Sequence, residues 1–273
     1  AGFGVAFLPI LGVATGGVEE RNSGIASGLL TSSQQIGGAI GGPIIQDRLH
    51  YFLSYERENE PNTILTTPPA LPAQSFSFDT KTVQNSFLGR ADWQMKPQDH
   101  LTVRASYWDW SNPFTQVSGT EHPSQAADRS RKAINVVGTW SKVLSSTMLQ
   151  EVRVGYTHFD WQNQLAIPAL ASTPNYVFPS LTVGQRRNYP QEFFQDTISA
   201  RYDLNWTVGT HDMKVGAEYL RWHDTGQWQL LSRGEFVFTR NPTDLDRRFP
   251  ADAWNDPTRW DVTGLDGFVQ RYD

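Results

Sequence analysis

Between residues 196 and 208 apolar and polar positions alternate without a break. Ile198, Ala200, Tyr202, Leu204, Trp206 and Val208 fall on one side, and Thr197, Ser199, Arg201, Asp203 and Asn205 on the other. A period of two held over about 12 residues predicts a strand about twice the usual length in soluble sheets. Gly209-Thr210-His211-Asp212 predicts a tight turn, after which Met213, Val215, Ala217 and Tyr219 oppose Lys214, Gly216 and Glu218. The same form occurs earlier. Phe87, Gly89, Ala91, Trp93 and Met95 oppose Leu88, Arg90, Asp92 and Gln94; Lys96-Pro97-Gln98-Asp99 turns the chain; Leu101, Val103, Ala105 and Tyr107 then oppose Thr102, Arg104 and Ser106. A third pair, 132–143 and 147–160, sets Met148, Val152, Val154 and Tyr156 against Glu151, Arg153, Gly155 and Thr157. Residues 84–224 are therefore expected to form consecutive antiparallel hairpins in one sheet, with no helix among these strands.

The connections alternate in length. Short turns follow the strands ending near Met95, Val143 and Val208, whereas segments 58–83, 111–131 and 161–195 read as long irregular loops, with Pro and Asn as in Thr67-Pro68-Pro69 and Asn112-Pro113. All the long loops then lie at one end, as in a transmembrane barrel with short turns on one side and long loops on the other. The expected fold is mainly β: an antiparallel up-and-down sheet, part of a transmembrane barrel. Its lipid-facing side would carry Val103, Tyr107, Val152, Val154, Ile198, Tyr202, Leu204 and Trp206. Its lumen-facing side would carry Arg90, Asp92, Arg104, Glu151, Arg153, Arg201, Asp203, Lys214 and Glu218. Trp93, Tyr107, Trp140, Tyr156, Tyr202, Trp206 and Tyr219 fall on apolar faces, mostly near expected strand ends, and suit interfacial girdles; ordinary β-core aromatics are the competing reading.

The first forty residues read differently. Residues 1–16 carry no charge and are shorter than the roughly 20 needed for a helical span. A polar turn, Val18-Glu19-Glu20-Arg21-Asn22-Ser23, leads to a stretch dense in small residues, with Gly37 and Gly41, and Gly38 and Gly42, four apart. Such spacing suits close packing of membrane helices. A short helical hydrophobic segment over 1–41 is expected, and a Gly-rich flexible lead-in is the alternative. The chain opens without Met and closes at Asp273 inside an expected strand, so it reads as a piece of something longer.

Composition narrows the picture. Among 273 residues, 19% are charged and the net charge is −5, with no basic block to suggest nucleic acid. Zero cysteines exclude a disulfide scaffold and Cys-ligated metal. Ten Trp, nine Tyr and fifteen Phe at a mean hydropathy of −0.47 suit half-polar strands edged by aromatic rings, and equally a soluble carbohydrate-binding β-fold.

Two resemblances rest on these residues. Gly41-Gly42-Pro43-Ile44 with Asp47-Arg48 and the aromatic run 51–56 resembles the first barrel strand of TonB-dependent outer-membrane receptors of the Oar-like type. Asn85-Ser86-Phe87-Leu88-Gly89-Arg90-Ala91-Asp92-Trp93 resembles the next, and segments 211–219 and 234–239 resemble later elements. This covers 42–273 as the N-terminal part of a receptor barrel. The resemblance implies an outer-membrane location, contact with the lipid bilayer, and a wall for energised uptake of an unknown large solute driven by the TonB system. The plug with its TonB-contacting box is expected before Gly41 and is absent. About eight strands make only part of such a barrel. Segment 24–41, in contrast, is similar to a small-residue helix of major facilitator superfamily multidrug transporters, which implies an inner-membrane drug–proton antiporter for 1–41. A chimera joined near Gly37-Gly38-Ala39-Ile40-Gly41 would reconcile the two.

Catalytic chemistry is sparse. His50, His100, His122, His158, His211 and His223 show no zinc spacing, and no nucleophile elbow occurs. No enzyme activity and no cofactor are expected. Asp244, Asp246, Asp252 and Asp256 read as a solvated acidic loop, with calcium as the minor reading. Trp108-Asp109-Trp110-Ser111-Asn112-Pro113 reads as an aromatic belt or loop base, with sugar stacking second. A soluble glycosidase would need two carboxylates converging in a cleft.

Overall fold

The computed structural model describes residues 34–117, 121–266 and 269–272. One eight-stranded sheet runs in the order β1-β2-β3-β4-β5-β6-β9-β10, every neighbouring pair antiparallel. Its strands are β1 (Gln34–Ile45), β2 (Leu49–Thr66), β3 (Phe76–Lys96), β4 (Asp99–Thr115), β5 (Ala127–Ser145), β6 (Met148–Leu165), β9 (Gln191–Val208) and β10 (His211–Trp228). A second sheet of four short strands has the order β12-β11-β7-β8: β7 (Asn175–Phe178), β8 (Leu181–Gly184), β11 (Glu235–Phe238) and β12 (Val269–Tyr272). The hairpins expected over 84–224 are present, and β6 pairs with β9 across the excursion that holds β7 and β8.

The turns at one end are short. Between β9 and β10 only Gly209 and Thr210 intervene, and Gly209 takes φ +61°. A two-residue hairpin needs a positive φ at its first central residue in the type II′ form, which glycine adopts without steric cost.

Two expectations are corrected. Residues 34–41, expected to be helical, are strand β1, paired with β2 from Gln34 opposite Asn59 through Ile45 opposite Leu49. Gly41 meets the Tyr51 carbonyl where a Cβ would come within 2.8 Å, and a Cβ at Gly37 would lie 3.3 Å from the Tyr55 carbonyl, so these two glycines allow close strand approach, whereas Gly38 and Gly42 face open space. Residues 1–33 lie outside the described residues. The segments expected as long irregular loops are mostly strand: β2 to β6, β9 and β10 run 17–21 residues, and the connections shrink to 67–75, 116–126 and 166–190. Hydrophobic alternation stops there because the apolar face has ended, but backbone pairing continues with polar partners such as Thr63 and Asp79, 3.0 Å apart.

The hydrophobic core belongs to the connections. Leu71, Leu170, Phe178, Leu181, Val183, Phe238, Leu245, Phe249, Trp260 and Leu265 bury one another in a cap at the long-loop end. Segment 234–239, likened above to a barrel element, supplies β11 of this cap. The cap docks on the strand ends: Trp254 packs on Phe78 and Phe114, with centroids 4.9 and 5.6 Å away, and Gln74 donates to the Phe249 carbonyl at 2.9 Å.

Candidate functional site

Directly opposed residues of a ladder share a face. Followed across the sheet, the register sorts every sequence-predicted site residue. Asp203 stands opposite Glu151 and Gly216; Arg201 opposite Arg153 and Glu218; Arg153 opposite Thr139; Thr139 opposite Thr102; Thr102 opposite Asp92; Arg104 opposite Arg90. Lys214 lies two residues from Gly216 on the same strand face. All nine expected lumen residues thus occupy one face, here the inner face. Phe76 and Phe78, which meet the cap, lie on the same face. All eight expected lipid residues occupy the opposite, outer face: Val152 opposes Tyr202, Val154 opposes Ala200, and Ile198 opposes Tyr156.

The inner face has two tiers. Toward the short turns it is charged. Arg201 forks Asp203 at 2.6 and 3.1 Å, Arg90 forks Asp92 at 2.8 Å twice, and Arg153 donates to Glu151 at 2.9 Å. Each pair is spaced i, i+2 on its own strand. The register sets Arg153 against Arg201 and Glu151 against Asp203, like against like, which alone would be repulsive. The same-strand forks and the diagonals offset it. Asp203 is buried, with Lys214 at 3.8 Å, and its carboxylate lies over Gly216, where a Cβ would come within 2.8 Å of Oδ1.

Toward the cap the inner face turns aromatic. Trp110, Arg131, Trp161 and Phe193 are successive partners across β4, β5, β6 and β9. Trp108 lies two residues before Trp110 on the same face. The run 108–113 is therefore strand β4 with both Trp rings on the inner face, not an outer belt or a loop base. These residues were legible in phase, because Trp108 and Trp110 continue the even-numbered polar side of Thr102, Arg104 and Ser106.

The outer face is a band. Trp93, Trp140 and Trp206 edge it near the turns, and Tyr55, Phe87, Tyr107, Tyr156 and Tyr219 edge it toward the cap. The tryptophans stand near strand ends as expected; the cap-side rings stand in mid-strand, because the strands continue beyond them. Tyr55 stacks on Phe87 with centroids 4.4 Å apart. Beyond this edge the outer face becomes polar within one step, with Arg57, Asn85, Asp109, Lys132, His158 and Asp196. Val154 is 54% exposed and Val215 67%, and among the described residues no second sheet covers this face.

The cap is tied by a buried polar chain. Gln125 donates to Asn175 Oδ1 at 3.0 Å, and Asn175 Nδ2 donates to the buried Glu235 at 2.8 Å, which Arg187 approaches to 3.4 Å. Tyr189 and Arg186 both donate to Gln116. His122 is fully buried, its Nδ1 accepting from the Ser124 amide at 3.3 Å and its Nε2 without a partner. Burial lowers its pKa to about 3, so it is neutral. The acidic segment is held by arginines: Asp244 meets Arg247 at 2.6 Å and Arg248 at 2.8 Å, and these bonds hold its carboxyl below the usual range. Asp252 meets Arg259 at 2.7 Å. Among the described residues no cluster of three metal-ligating side chains forms.

Comparison with known proteins agrees with this geometry. The family described as outer membrane beta barrel domain matches residues 60–257. The crystal structure of the outer membrane transporter YddB from Escherichia coli superposes with a TM-score of 0.57 at 12% identity, over 76% of this chain and 27% of that one. The chain thus spans about a quarter of that transporter's length. No curated protein sequence matches. The efflux-transporter reading of 1–41 gains nothing from these comparisons. With the family match extending over more than half of its length, the chain belongs to the outer membrane β-barrel domain family.

Proposed function

We propose that this outer membrane β-barrel domain is a stretch of the wall of a TonB-dependent transporter that takes up a large solute. The observation that carries the reading is the sorting of one sheet into an uncovered apolar band on one face and a charged, aromatic face behind it. An exposed apolar face this large is a lipid surface or an aggregation hazard in water. In this reading Val103, Tyr107, Val152, Val154, Ile198, Tyr202, Leu204 and Trp206 meet lipid, and the two aromatic edges lie at the headgroups. The arginine–carboxylate forks line the lumen and face a plug, which TonB displaces. The cap forms part of the solute's entrance. The soluble carbohydrate-binding reading loses its footing, since a sandwich needs a second sheet about 10 Å from the apolar face.

The test uses the full-length gene product in planar bilayers and in pull-down with the periplasmic domain of TonB. A plugged, energised transporter gives no steady conductance and captures TonB. A steadily open channel that fails to capture TonB would make this a passive pore and overturn the reading.

A further inference from the structure

On the inner face, just beyond the level of the outer aromatic edge, one row of side chains crosses four strands: Trp110, Arg131, Trp161 and Phe193. The Arg131 guanidinium sits 4.3 Å from the centre of the Trp161 ring and 5.8 Å from that of Trp110; Arg129, one row higher, sits 5.5 Å from Trp110. The Trp161 and Phe193 ring centres are 5.3 Å apart. The row is therefore a continuous run of flat surfaces. At strand spacing its three intervals span about 14 Å, roughly the length of three sugar rings.

The guanidiniums separate this row from the charged tier. There each of Arg90, Arg153 and Arg201 holds a carboxylate of its own strand. Here Arg131 donates to the carbonyls of Ser130 and Gln162, both at 2.6 Å, and to Asn163 Oδ1 at 3.0 Å, and Arg129 leaves a buried Nε with no partner. Among the described residues neither arginine meets a carboxylate. Arg131 ties β5 to β6 through these bonds, whereas Arg129 sits over Trp110 with its Nε unpartnered. A guanidinium so placed suits a carboxylate, and the adjacent ring suits the flat face of a sugar. Gln84, opposite Trp110, and Asn112, opposite Arg129, add amides suited to hydroxyl groups.

We infer that this row is a binding subsite for an acidic oligosaccharide, with Arg129 taking a carboxylate and Trp110 and Phe193 taking ring faces. This rests on the transporter reading and names its solute class. The experiment titrates purified full-length protein with trigalacturonate, maltotriose and benzoate, reading tryptophan fluorescence and calorimetry. Trigalacturonate is expected to bind at least tenfold more tightly than the other two. Arg129→Gln is expected to weaken it tenfold or more, and Arg129→Lys less; heat-modifiable gel mobility confirms that each variant is folded. Equal binding of maltotriose overturns the anionic requirement, equal binding of benzoate overturns the glycan class, and undiminished binding by folded Arg129→Gln overturns the site. Absence of saccharide binding by a protein that still captures TonB overturns this inference alone; loss of TonB capture with an open pore overturns the transporter reading instead.

Discussion

If the outer face meets lipid, the cost of a charge must depend on face and on depth, and β4 allows both to be tested on one strand. Val103 lies on the outer face between the two aromatic edges, 39% exposed. Ser106 lies on the inner face, in a row with Leu88 and Asn135, and carries no charge opposite it. Ser111 is back on the outer face, two steps beyond Tyr107. Arginine near the bilayer midplane of a barrel costs roughly 2–4 kcal/mol, falling to about 0–1 near the interfaces. Val103→Arg should then shift the folding equilibrium by about 30- to 700-fold, since about 1.4 kcal/mol is a factor of ten. Ser111→Arg should cost about 0–1 kcal/mol. Ser106→Arg should stay within about 0.5 kcal/mol, because it faces a polar lumen. The assay is urea-titrated folding of the full-length protein into phosphatidylcholine vesicles, followed by tryptophan fluorescence and gel mobility. Equal costs for Val103→Arg and Ser106→Arg would refute the assignment of faces, and equal costs for Val103→Arg and Ser111→Arg would refute the band.

Three further outcomes follow from particular contacts. Gly216→Ala should destabilise by about 1–3 kcal/mol, because its Cβ would lie 2.8 Å from Asp203 Oδ1 and 3.0 Å from the Tyr202 carbonyl; in an Asp203→Ala background the cost should shrink, which a double-mutant cycle in the same urea assay reads. Phe249→Ala removes a fully buried ring of the cap and should cost about 3–5 kcal/mol there, seen as new proteolytic cleavage in 229–268 while the barrel keeps its gel mobility. Burial lowers the His122 pKa from 6.5 to about 3, so the unfolded cap takes up a proton that the folded one refuses. The stabilisation is complete above about pH 6.5 and is lost as pH falls toward 3, by roughly 3 kcal/mol at pH 4.5. Its neighbours Ser124, Phe76 and Trp260 carry no group that titrates in that window. Hydrogen-exchange protection over 166–190, taken relative to the intrinsic exchange rate at each pH, should fall between pH 7.5 and 4.5, and His122→Gln should flatten that response.

The sheet was legible because its two faces differ, one apolar and one polar, an alternation that one sequence can display. Strands 196–208 and 211–219 show it plainly, and the faces assigned there match the register of β9 with β10. Three things were not legible, each for a physical reason. The strand extensions such as 58–63 carry no apolar alternation, since the outer face turns polar once the band ends, and in 76–83 only Phe76 and Phe78 alternate with Ser77 and Asp79, too short a run to announce a strand; backbone pairing itself leaves no trace in side-chain hydropathy. Gly37 and Gly41, and Gly38 and Gly42, suggested a helix because i and i+4 share a helical face; they share a strand face as well, so the spacing cannot separate the two. The cap joins residues as distant as Gln74 and Phe249, contacts that no local pattern announces.

The placement of the hydrophobic core gives independent grounds for the band. The largest fully buried apolar side chains, Phe249, Leu71, Leu170, Leu181 and Val183, all come from the cap segments, while in the large sheet Leu53, Val154, Val215 and Tyr219 stand exposed on one face. One chain in one solvent has no reason to bury leucine so completely in a small unit and leave a whole face of valine and tyrosine bare. Two solvents remove the conflict. Strands of 17–21 residues extend for about 55–70 Å. The apolar stretch on β4 ends at Tyr107, three residues before Trp110. On the proposed reading the rest of each strand projects past the headgroups and holds the cap in water, where it must build an ordinary core. It also fixes the position of the aromatic–guanidinium row: beyond the band, beneath the cap, and ahead of the arginine–carboxylate tier. A solute entering from the cap side would meet Trp110 and Arg129 before it reached Arg90 or Arg201.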